Sequence, residues 1–335
     1  MEPDQPRAGA GHLIGQLHIP EPRALLHVPR QATNPSAPAT RLPGVGDAVG
    51  TWEAHGKRYP VRGHDLFVID ARPREEAVEP LLIIHGFPAS SFDWRHVLDP
   101  LSVDRRVVLL DLLGYGLSAK PDQRYSLFEQ ADLVIDVCEI LGLTEVALAT
   151  HDMGDSVGGE LLARGMDGTL TFDVTRRVIT NGSIYMDLVQ LSPGQQLLLD
   201  LPDEQLPDDD LIGAQLFTAS MAETFGAETR ASDEELAAQW ELLARERGNR
   251  LLPRLIRYVD ERRRYEQRWT QAIERHRSPL TIIWGDADPI AVYPMAERLR
   301  ERMPSATLHR MEAIGHWPMI EASARVVDAM RAALW

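Results

Sequence analysis

The sequence predicts an α/β fold with a mostly parallel sheet, helices on both faces and one inserted helical segment. Short apolar runs typical of buried strands alternate with longer amphipathic runs typical of helices. This alternation stops over about residues 186–269, where charged, helix-like stretches dominate. With 335 residues, 44% of them hydrophobic, the chain is long enough for one large core and such an insertion.

The first 48 residues differ from the rest of the chain. They are rich in Pro, Ala and Gly and show no sustained periodicity. We therefore expect a flexible N-terminal extension over residues 1–48, a core formed by 49–185 and 270–335, and a helical cap or lid over 186–269.

Buried strands are predicted over residues 81–84, 106–110, 146–149, 174–179 and 280–284, and residues 306–310 are a further strand-like run. Helices are predicted over residues 126–143, 153–164, 293–302 and 319–334 of the core, and over 232–246 and 252–269 of the insertion. Because ligands of parallel sheets bind beyond the carboxyl ends of the strands, an insertion that leaves one such end would cover the binding site.

The segment with the most specific pattern is residues 146–155, Val-Ala-Leu-Ala-Thr-His-Asp-Met-Gly-Asp. An apolar strand leads through a turn into a helix that carries Gly158 and Gly159, and this pattern predicts a nucleophile elbow that displays Asp152. A carboxylate at that place attacks a saturated carbon and forms an alkyl ester, which water must then cleave. Taken alone, the pattern also fits a turn aspartate or a metal ligand.

Two further segments supply partners for Asp152. Asp288 follows a strand in Ile-Ile-Trp-Gly-Asp-Ala-Asp-Pro, although the neighbouring Asp286 is an alternative. His316 lies in the loop Ala-Ile-Gly-His-Trp-Pro before the last helix, where it could also be a packing residue. The order nucleophile, acid, histidine at successive strand ends is that of a catalytic triad.

The strand at residues 83–84 ends in His85-Gly86-Phe87-Pro88. In a fold with a nucleophile elbow, the loop at this place and the residue after the nucleophile donate backbone N–H groups to an oxyanion. We therefore predict an oxyanion hole formed by Phe87 and Met153, while a simple strand-terminating turn fits the segment equally well.

Composition argues against several other functions. The net charge of −15 does not suit a nucleic-acid surface, and the single cysteine, Cys138, precludes an intramolecular disulfide. A Gly-x-Gly-x-x-Ala run at 114–119 leads into Lys120-Pro121 and not into a helix, so it is no dinucleotide site. Neither a signal peptide nor an apolar run of 18 residues is found, and we expect a cytoplasmic protein without membrane span, metal or organic cofactor.

From about residue 51 onward the chain resembles the α/β-hydrolase superfamily, in the branch of epoxide hydrolases and haloalkane dehalogenases. It is especially similar to the mesoderm-specific transcript-like hydrolases. The resemblance rests on five motifs, which are His85-Gly-Phe-Pro-Ala-Ser-Ser-Phe-Asp-Trp94, His151-Asp-Met-Gly-Asp155, Thr180-Asn-Gly-Ser-Ile184, Arg257-Tyr258 and Ala287-Asp-Pro289.

The resemblance implies hydrolysis of an epoxide by Asp152, His316 and Asp288, acting on a small hydrophobic molecule in a monomer or homodimer. In such enzymes lid tyrosines donate hydrogen bonds to the epoxide oxygen. Tyr258 stands at the expected place before the acid, and Tyr185 or Tyr265 would have to be the second donor. The remaining residues expected in the substrate pocket are His85, Trp94, His151 and Trp317.

Two alternatives to epoxide hydrolysis stay open. Dehalogenases resemble this chain in fold and nucleophile, but they usually hold the halide with a tryptophan after the nucleophile, where this chain has Met153. A hydrolase-fold protein that binds a ligand without turnover is the other alternative. The chain also departs from the family at Thr150 and Asp155, where small residues are common, which makes the turn at Asp152 more crowded and more acidic.

Overall fold

A computed structural model describes residues 45–73, 78–207 and 211–335 of the protein. The predicted N-terminal extension lies outside the described residues as far as residue 44. Its last four residues, 45–48, belong to the first helix, α1 (Val45–Ala54). In the described ranges, no helix combines the length and the apolar character needed to cross a bilayer.

The fold is built on one eight-stranded sheet. Its strands are β1 (Lys57–Val61), β2 (His64–Ala71), β3 (Leu81–Ile84), β4 (Val107–Leu110), β5 (Glu145–His151), β6 (Asp173–Thr180), β7 (Leu280–Gly285) and β8 (Thr307–Met311). They are ordered β1-β2-β4-β3-β5-β6-β7-β8. The pairs β1/β2 and β2/β4 are antiparallel and the remaining pairs are parallel. This confirms the predicted fold class.

Two strands at one edge of the sheet were not predicted. β1 reads Lys-Arg-Tyr-Pro-Val and buries only its last residue, Val61. β2 begins with the polar pair His64-Asp65 before its buried stretch. β1 is the edge strand, and since one of its sides faces water it lacks the continuous apolar run by which buried strands are identified. β2 pairs with both β1 and β4 and does contain such a buried run, Leu66–Ile69, so its apolar pattern was an available signal.

Seven helices pack on the sheet, with a 3₁₀ turn at Ser91–Trp94. They are α1, α2 (Arg95–Ser102), α3 (Leu127–Ile140), α4 (Met153–Met166), α10 (Pro294–Arg302), α11 (Pro318–Glu321) and α12 (Ser323–Leu334). The single helix predicted over 319–334 is thus two helices, because Ala322 has a non-helical backbone (φ −141°, ψ 44°) between them.

Helices alone fill the described chain between β6 and β7, and we call them the helical insertion. They are α5 (Pro193–Asp200), α6 (Ala214–Ala222), α7 (Asp233–Ala244), α8 (Leu252–Leu255) and α9 (Tyr258–Arg275), with a 3₁₀ segment at Arg245–Leu251. Ser232 begins α7 by accepting a hydrogen bond from the N–H of Glu235, and acidic residues in its first turn suit the helix dipole.

The longest inserted helix, α9, lies directly against α4. A side chain on Gly159 would bring its Cβ within 2.9 Å of the Cβ of Trp269, so the two helices approach as closely as glycine allows. Below this contact the carboxylate of Glu160, 2% exposed, accepts hydrogen bonds from Trp269 Nε1 at 3.0 Å and Arg268 Nε at 2.7 Å. Because these bonds are charge-assisted and largely buried, they fasten α9 to the helix that follows Asp152.

We expect the change Gly159→Ala to destabilise the protein relative to Gly50→Ala. Both positions are helical and gain about 1 kcal/mol of helix propensity. Only at Gly159 does the new methyl group meet Trp269, whereas nothing lies within 4 Å of the corresponding site at Gly50. Overpacking of this kind costs about 1–3 kcal/mol. Urea unfolding of both variants measures the difference, and equal midpoints would contradict the close contact.

Candidate active site

Asp152 stands at a strained turn between β5 and α4. Its backbone has φ 49° and ψ −115°, outside the conformations that residues with side chains ordinarily adopt. Glycines make the space for this turn. A Cβ on Gly86 would lie 2.6 Å from the Cβ of Asp152, and one on Gly154 would lie 2.6 Å from the carbonyl oxygen of Ile84. The turn therefore has the shape of a nucleophile elbow.

The carboxylate of Asp152 is held by one oxygen. The backbone N–H of Phe87 donates to Oδ2 at 2.9 Å, while Oδ1 has no hydrogen-bond partner in the described residues. The side chain is 1% exposed. Oδ2 is thus held by a hydrogen bond, whereas Oδ1 has no donor among the described residues. In the described residues the N–H of Met153, the other predicted oxyanion donor, forms no bond to this carboxylate.

His316 and Asp288 form a buried pair. His316 Nδ1 donates to Asp288 Oδ2 at 2.7 Å. Asp288 Oδ1 accepts from the N–H groups of Ile290 and Ala291 at 2.7 and 3.0 Å, which fix the carboxylate in its loop. The alternative acid, Asp286, instead bonds the exposed Arg310. The structure therefore brings His316 together with Asp288 and not with Asp286.

Asn181 is a site residue that the sequence did not single out. It follows β6 with φ 39°, and its Nδ2 donates to Asp288 Oδ2 at 2.8 Å. Its Oδ1 accepts from the N–H of Gly285 at the end of β7. The Thr-Asn-Gly-Ser-Ile motif contained the residue, and its place at a strand end on the same rim was the available signal.

The charges around His316 favour its protonated form. Burial alone would lower the pKa of His316, but the charge and hydrogen bond of Asp288 and the charge of Asp152 outweigh burial and raise it to about 9. At neutral pH the His316 ring is therefore an imidazolium, whose charge is stabilised by the carboxylates of Asp288 and Asp152. Loss of the charge on Asp152 would return its pKa toward that of an ordinary histidine.

Four other residues were predicted to lie in the substrate pocket. Of these, only Trp317 lines the cavity that His316 and Phe87 also line. His85 is buried, accepts from the N–H of Leu112 through Nε2 and donates from Nδ1 to the carbonyl oxygen of Gly86. His151 donates from Nε2 to the carbonyl oxygen of His316 at 2.8 Å, and burial lowers its pKa to about 3. Trp94 is fully buried beneath the loop. These three side chains are buried and do not line the cavity.

The three candidate lid tyrosines lie in different surroundings. Tyr258 begins α9 and is buried, with its ring centroid 5.4 Å from that of Phe87. Tyr185 donates from its hydroxyl to Glu274 at 2.9 Å, and Tyr265 packs edge-on against Phe128. The structure therefore places only Tyr258 beside a residue that contacts Asp152.

A cavity of about 80 Å³ lies between the core and the helical insertion. Its core wall includes Phe87, His316 and Trp317. The wall from α5, α6 and their neighbours is formed mainly by apolar side chains, which are Leu197, Leu198, Ile212, Leu216, Phe217, Met221 and Leu252. In the part of the chain that the structure describes, His316 is the only ionisable side chain that lines it. Asp152 itself does not line the cavity. It accepts a hydrogen bond from the N–H of Phe87, a residue that does line it.

A second carboxyl, Asp155, lies one turn into α4. It is 3% exposed, and within the described ranges no Lys, Arg or His nitrogen approaches it within 4 Å. Burial raises the pKa of Asp155 to about 8, against the opposing influence of Thr150 and Arg262. The residue that departs from the family pattern is therefore uncharged at neutral pH. Elsewhere in the described chain, no three His, Cys, Asp or Glu side chains are grouped so as to hold a metal ion.

Comparisons with known proteins agree with the fold and with the motifs. A family model described as the alpha/beta hydrolase family matches residues 81–329. The chain is 38% identical over 283 residues to the putative hydrolase LipZ of Mycobacterium tuberculosis, a match that covers 84% of this chain and 96% of LipZ. It is 31% identical over 317 residues to the mesoderm-specific transcript protein of Mus musculus, covering 92% and 90%. The crystal structure of Cfl2 from Burkholderia cenocepacia superposes with a TM-score of 0.69 at 22% identity, over 84% and 95% of the two chains.

We expect Asp155→Asn to stabilise the protein at high pH. In the folded protein the carboxyl keeps its proton up to about pH 8, whereas in the unfolded chain it loses the proton near the ordinary aspartate pKa of 3.8. Stability is therefore lost as the pH rises between these values. An amide cannot ionise, so the variant should melt above the natural protein at pH 9, by a margin that shrinks toward pH 4. Melting curves across this range measure the margin. The exposed-carboxylate variant Asp328→Asn is the control, and a margin independent of pH would contradict the assignment.

Proposed function

The chain belongs to the alpha/beta hydrolase family, and from that premise we propose that it opens a small, apolar epoxide to a vicinal diol through an ester on Asp152. The observation that carries the proposal is the carboxylate at the strained turn, with Oδ2 anchored by the Phe87 N–H and Oδ1 unpartnered. A carboxylate nucleophile suits attack on a saturated carbon that carries a leaving oxygen.

In the first step Asp152 Oδ1 bonds to an epoxide carbon and the carbon–oxygen bond of the ring breaks. The alkoxide released takes a proton from the hydroxyl of Tyr258. Because burial raises the pKa of this hydroxyl well above its usual value, the group remains a donor at all physiological pH values. Its place beside Phe87, which contacts Asp152, supports this role.

Ester formation also prepares the second step. It removes the negative charge of Asp152, which is one of the influences that hold His316 protonated. The imidazolium then gives up a proton, which passes to the Tyr258 phenolate and restores the hydroxyl that protonated the alkoxide. Neutral His316, oriented by Asp288, can take a proton from water.

Water attacks the carbonyl carbon of the ester, and the tetrahedral oxyanion accepts a hydrogen bond from the N–H of Phe87, with that of Met153 as the second proposed donor. Collapse releases the diol and restores the Asp152 carboxylate. The Phe87 N–H already bonds Oδ2 in the resting protein, so this donor needs no rearrangement.

The cavity supports an apolar and uncharged substrate. Among the described residues no Lys, Arg, Asp or Glu side chain lines it, so the described lining offers nothing to compensate a substrate carboxylate, phosphate or ammonium group. Its volume of about 80 Å³ is smaller than the roughly 150 Å³ that holds a benzene molecule. A substrate as large as benzene must therefore extend to the opening of the cavity, where Leu197 and Leu216 are 44% and 41% exposed.

We expect His316→Gln to trap the ester. Glutamine cannot take the proton from water, so incubation with 1,2-epoxyhexane should add the mass of one epoxide to the protein, on the peptide that contains Asp152. The double variant His316→Gln/Asp152→Ala is the control and should stay unmodified. Turnover by the single variant, or modification of the double variant, would remove these residues from the proposed roles.

We expect Tyr258→Phe to slow ester formation from the epoxide by about 10²–10⁴-fold, the usual contribution of a general acid. Tyr185→Phe and Tyr265→Phe are matched controls and should react at the original rate. A haloalkane such as 1-bromohexane needs no proton for its leaving group, so its reaction, followed by bromide release, should not depend on this hydroxyl. An equal loss with both substrates would assign Tyr258 a packing role.

A further inference from the structure

We propose that Arg262 is the positioning residue that aligns the Tyr258 hydroxyl with the turn that carries Asp152. The inference rests on the proposed function and extends it to a residue that neither touches the substrate cavity nor belongs to the triad. The supporting observations are the contacts of the buried Arg262 guanidinium.

Arg262 joins α9 to the first turn of α4. Its Nη2 donates to the backbone carbonyl of Asp152 at 3.0 Å, and its Nε donates to Ser156 Oγ at 2.6 Å. The side chain is 3% exposed although it belongs to a run of three arginines. One side chain of the helical insertion therefore holds both the nucleophile's own peptide unit and the helix that begins beside it.

The carbonyl that Arg262 holds belongs to the strained residue. It also accepts from the N–H of Asp155 at 3.0 Å, so the orientation of this peptide unit is set by two donors. Because Asp152 has a positive φ, the direction of its side chain depends on that orientation. Arg262, a donor from the helical insertion, therefore directly influences the direction in which the Asp152 carboxylate points.

The same guanidinium contacts Tyr258. The two residues are four apart on α9 and so lie on one face of the helix. The guanidinium carbon of Arg262 is 5.2 Å from the centroid of the Tyr258 ring. Lysine could not replace it, since an ammonium group lacks the planar set of donors that reaches a carbonyl and a hydroxyl while lying against a ring.

Stability does not account for this arginine. A buried cation is tolerated when a carboxylate neutralises it, yet no carboxylate oxygen of the described residues lies within 4 Å of an Arg262 nitrogen, and its hydrogen-bond acceptors are neutral oxygens. Helix α9 is already fastened to α4 through Glu160, which bonds both Arg268 and Trp269. Alignment of two reacting groups is the role that remains.

The test is a double-mutant cycle between Arg262 and Tyr258 in the His316→Gln background, with the rate of ester formation from 1,2-epoxyhexane measured by mass spectrometry. Arg262→Met should slow the reaction on the order of 10²-fold, the loss that a displacement of about 1 Å can cause. Combined with Tyr258→Phe, it should slow the reaction by clearly less than the product of the two single effects, because the part of its effect that acts through the Tyr258 hydroxyl is already lost. Arg262→Lys should not restore the rate.

The control is Arg268→Met, on the same helix. It removes bonds to Glu160 and Asp167, should lower the melting temperature, and should multiply independently with Tyr258→Phe. Independent multiplication by Arg262→Met as well, or an unchanged rate, would overturn the positioning role while leaving the ester mechanism intact. Absence of any ester in the His316→Gln parent would instead refute the proposed function and this inference with it.

Discussion

The backbone of one residue, Asp152, is held in a conformation that costs about 1–3 kcal/mol, and the surrounding structure is arranged to maintain it. Gly86 and Gly154 leave room for the turn, the Phe87 N–H anchors the carboxylate from the β3 side, and Arg262 bonds the carbonyl from the α9 side. The strain is therefore offset by contacts from three separate parts of the chain. This explains why elements distant in sequence converge on one peptide unit.

Burial gives the ionisable groups around this turn unequal charges. His316 is held protonated by Asp288 and Asp152, His151 is held neutral by burial, and Asp155 keeps its proton for the same reason. In water an ordinary histidine titrates near neutral pH and an ordinary aspartic acid is ionised there. Burial and neighbouring charges thus reverse the usual state of Asp155 and separate the two histidines, and the charge of Asp152 is one of the influences on His316.

The sequence predicted the sheet, the elbow and the order of the triad residues because these depend on local patterns, such as apolar runs, small residues at a tight turn and loops after strands. It missed β1, whose exposed residues interrupt the apolar pattern, and β2, although that strand contains the buried apolar run Leu66–Ile69. It also missed Asn181 and Arg262, since a polar residue that supports another polar residue has no periodic signature. His85 and His151 carry a chemically suggestive side chain, but only the structure shows that backbone groups bond both ring nitrogens of His85 and the Nε2 of His151.

The bonds of Glu160 to Arg268 and Trp269 join the helix that bears Tyr258 to the core. The opposite wall of the cavity comes from α5 and α6, whose leucines meet water at the mouth. The groups proposed to react and the apolar wall proposed to contact the substrate therefore belong to different helices. Substitutions in α5 and α6 would change that wall without altering the Glu160 contacts that hold α9, so the range of accepted molecules is separable from the alignment of the proposed reacting groups.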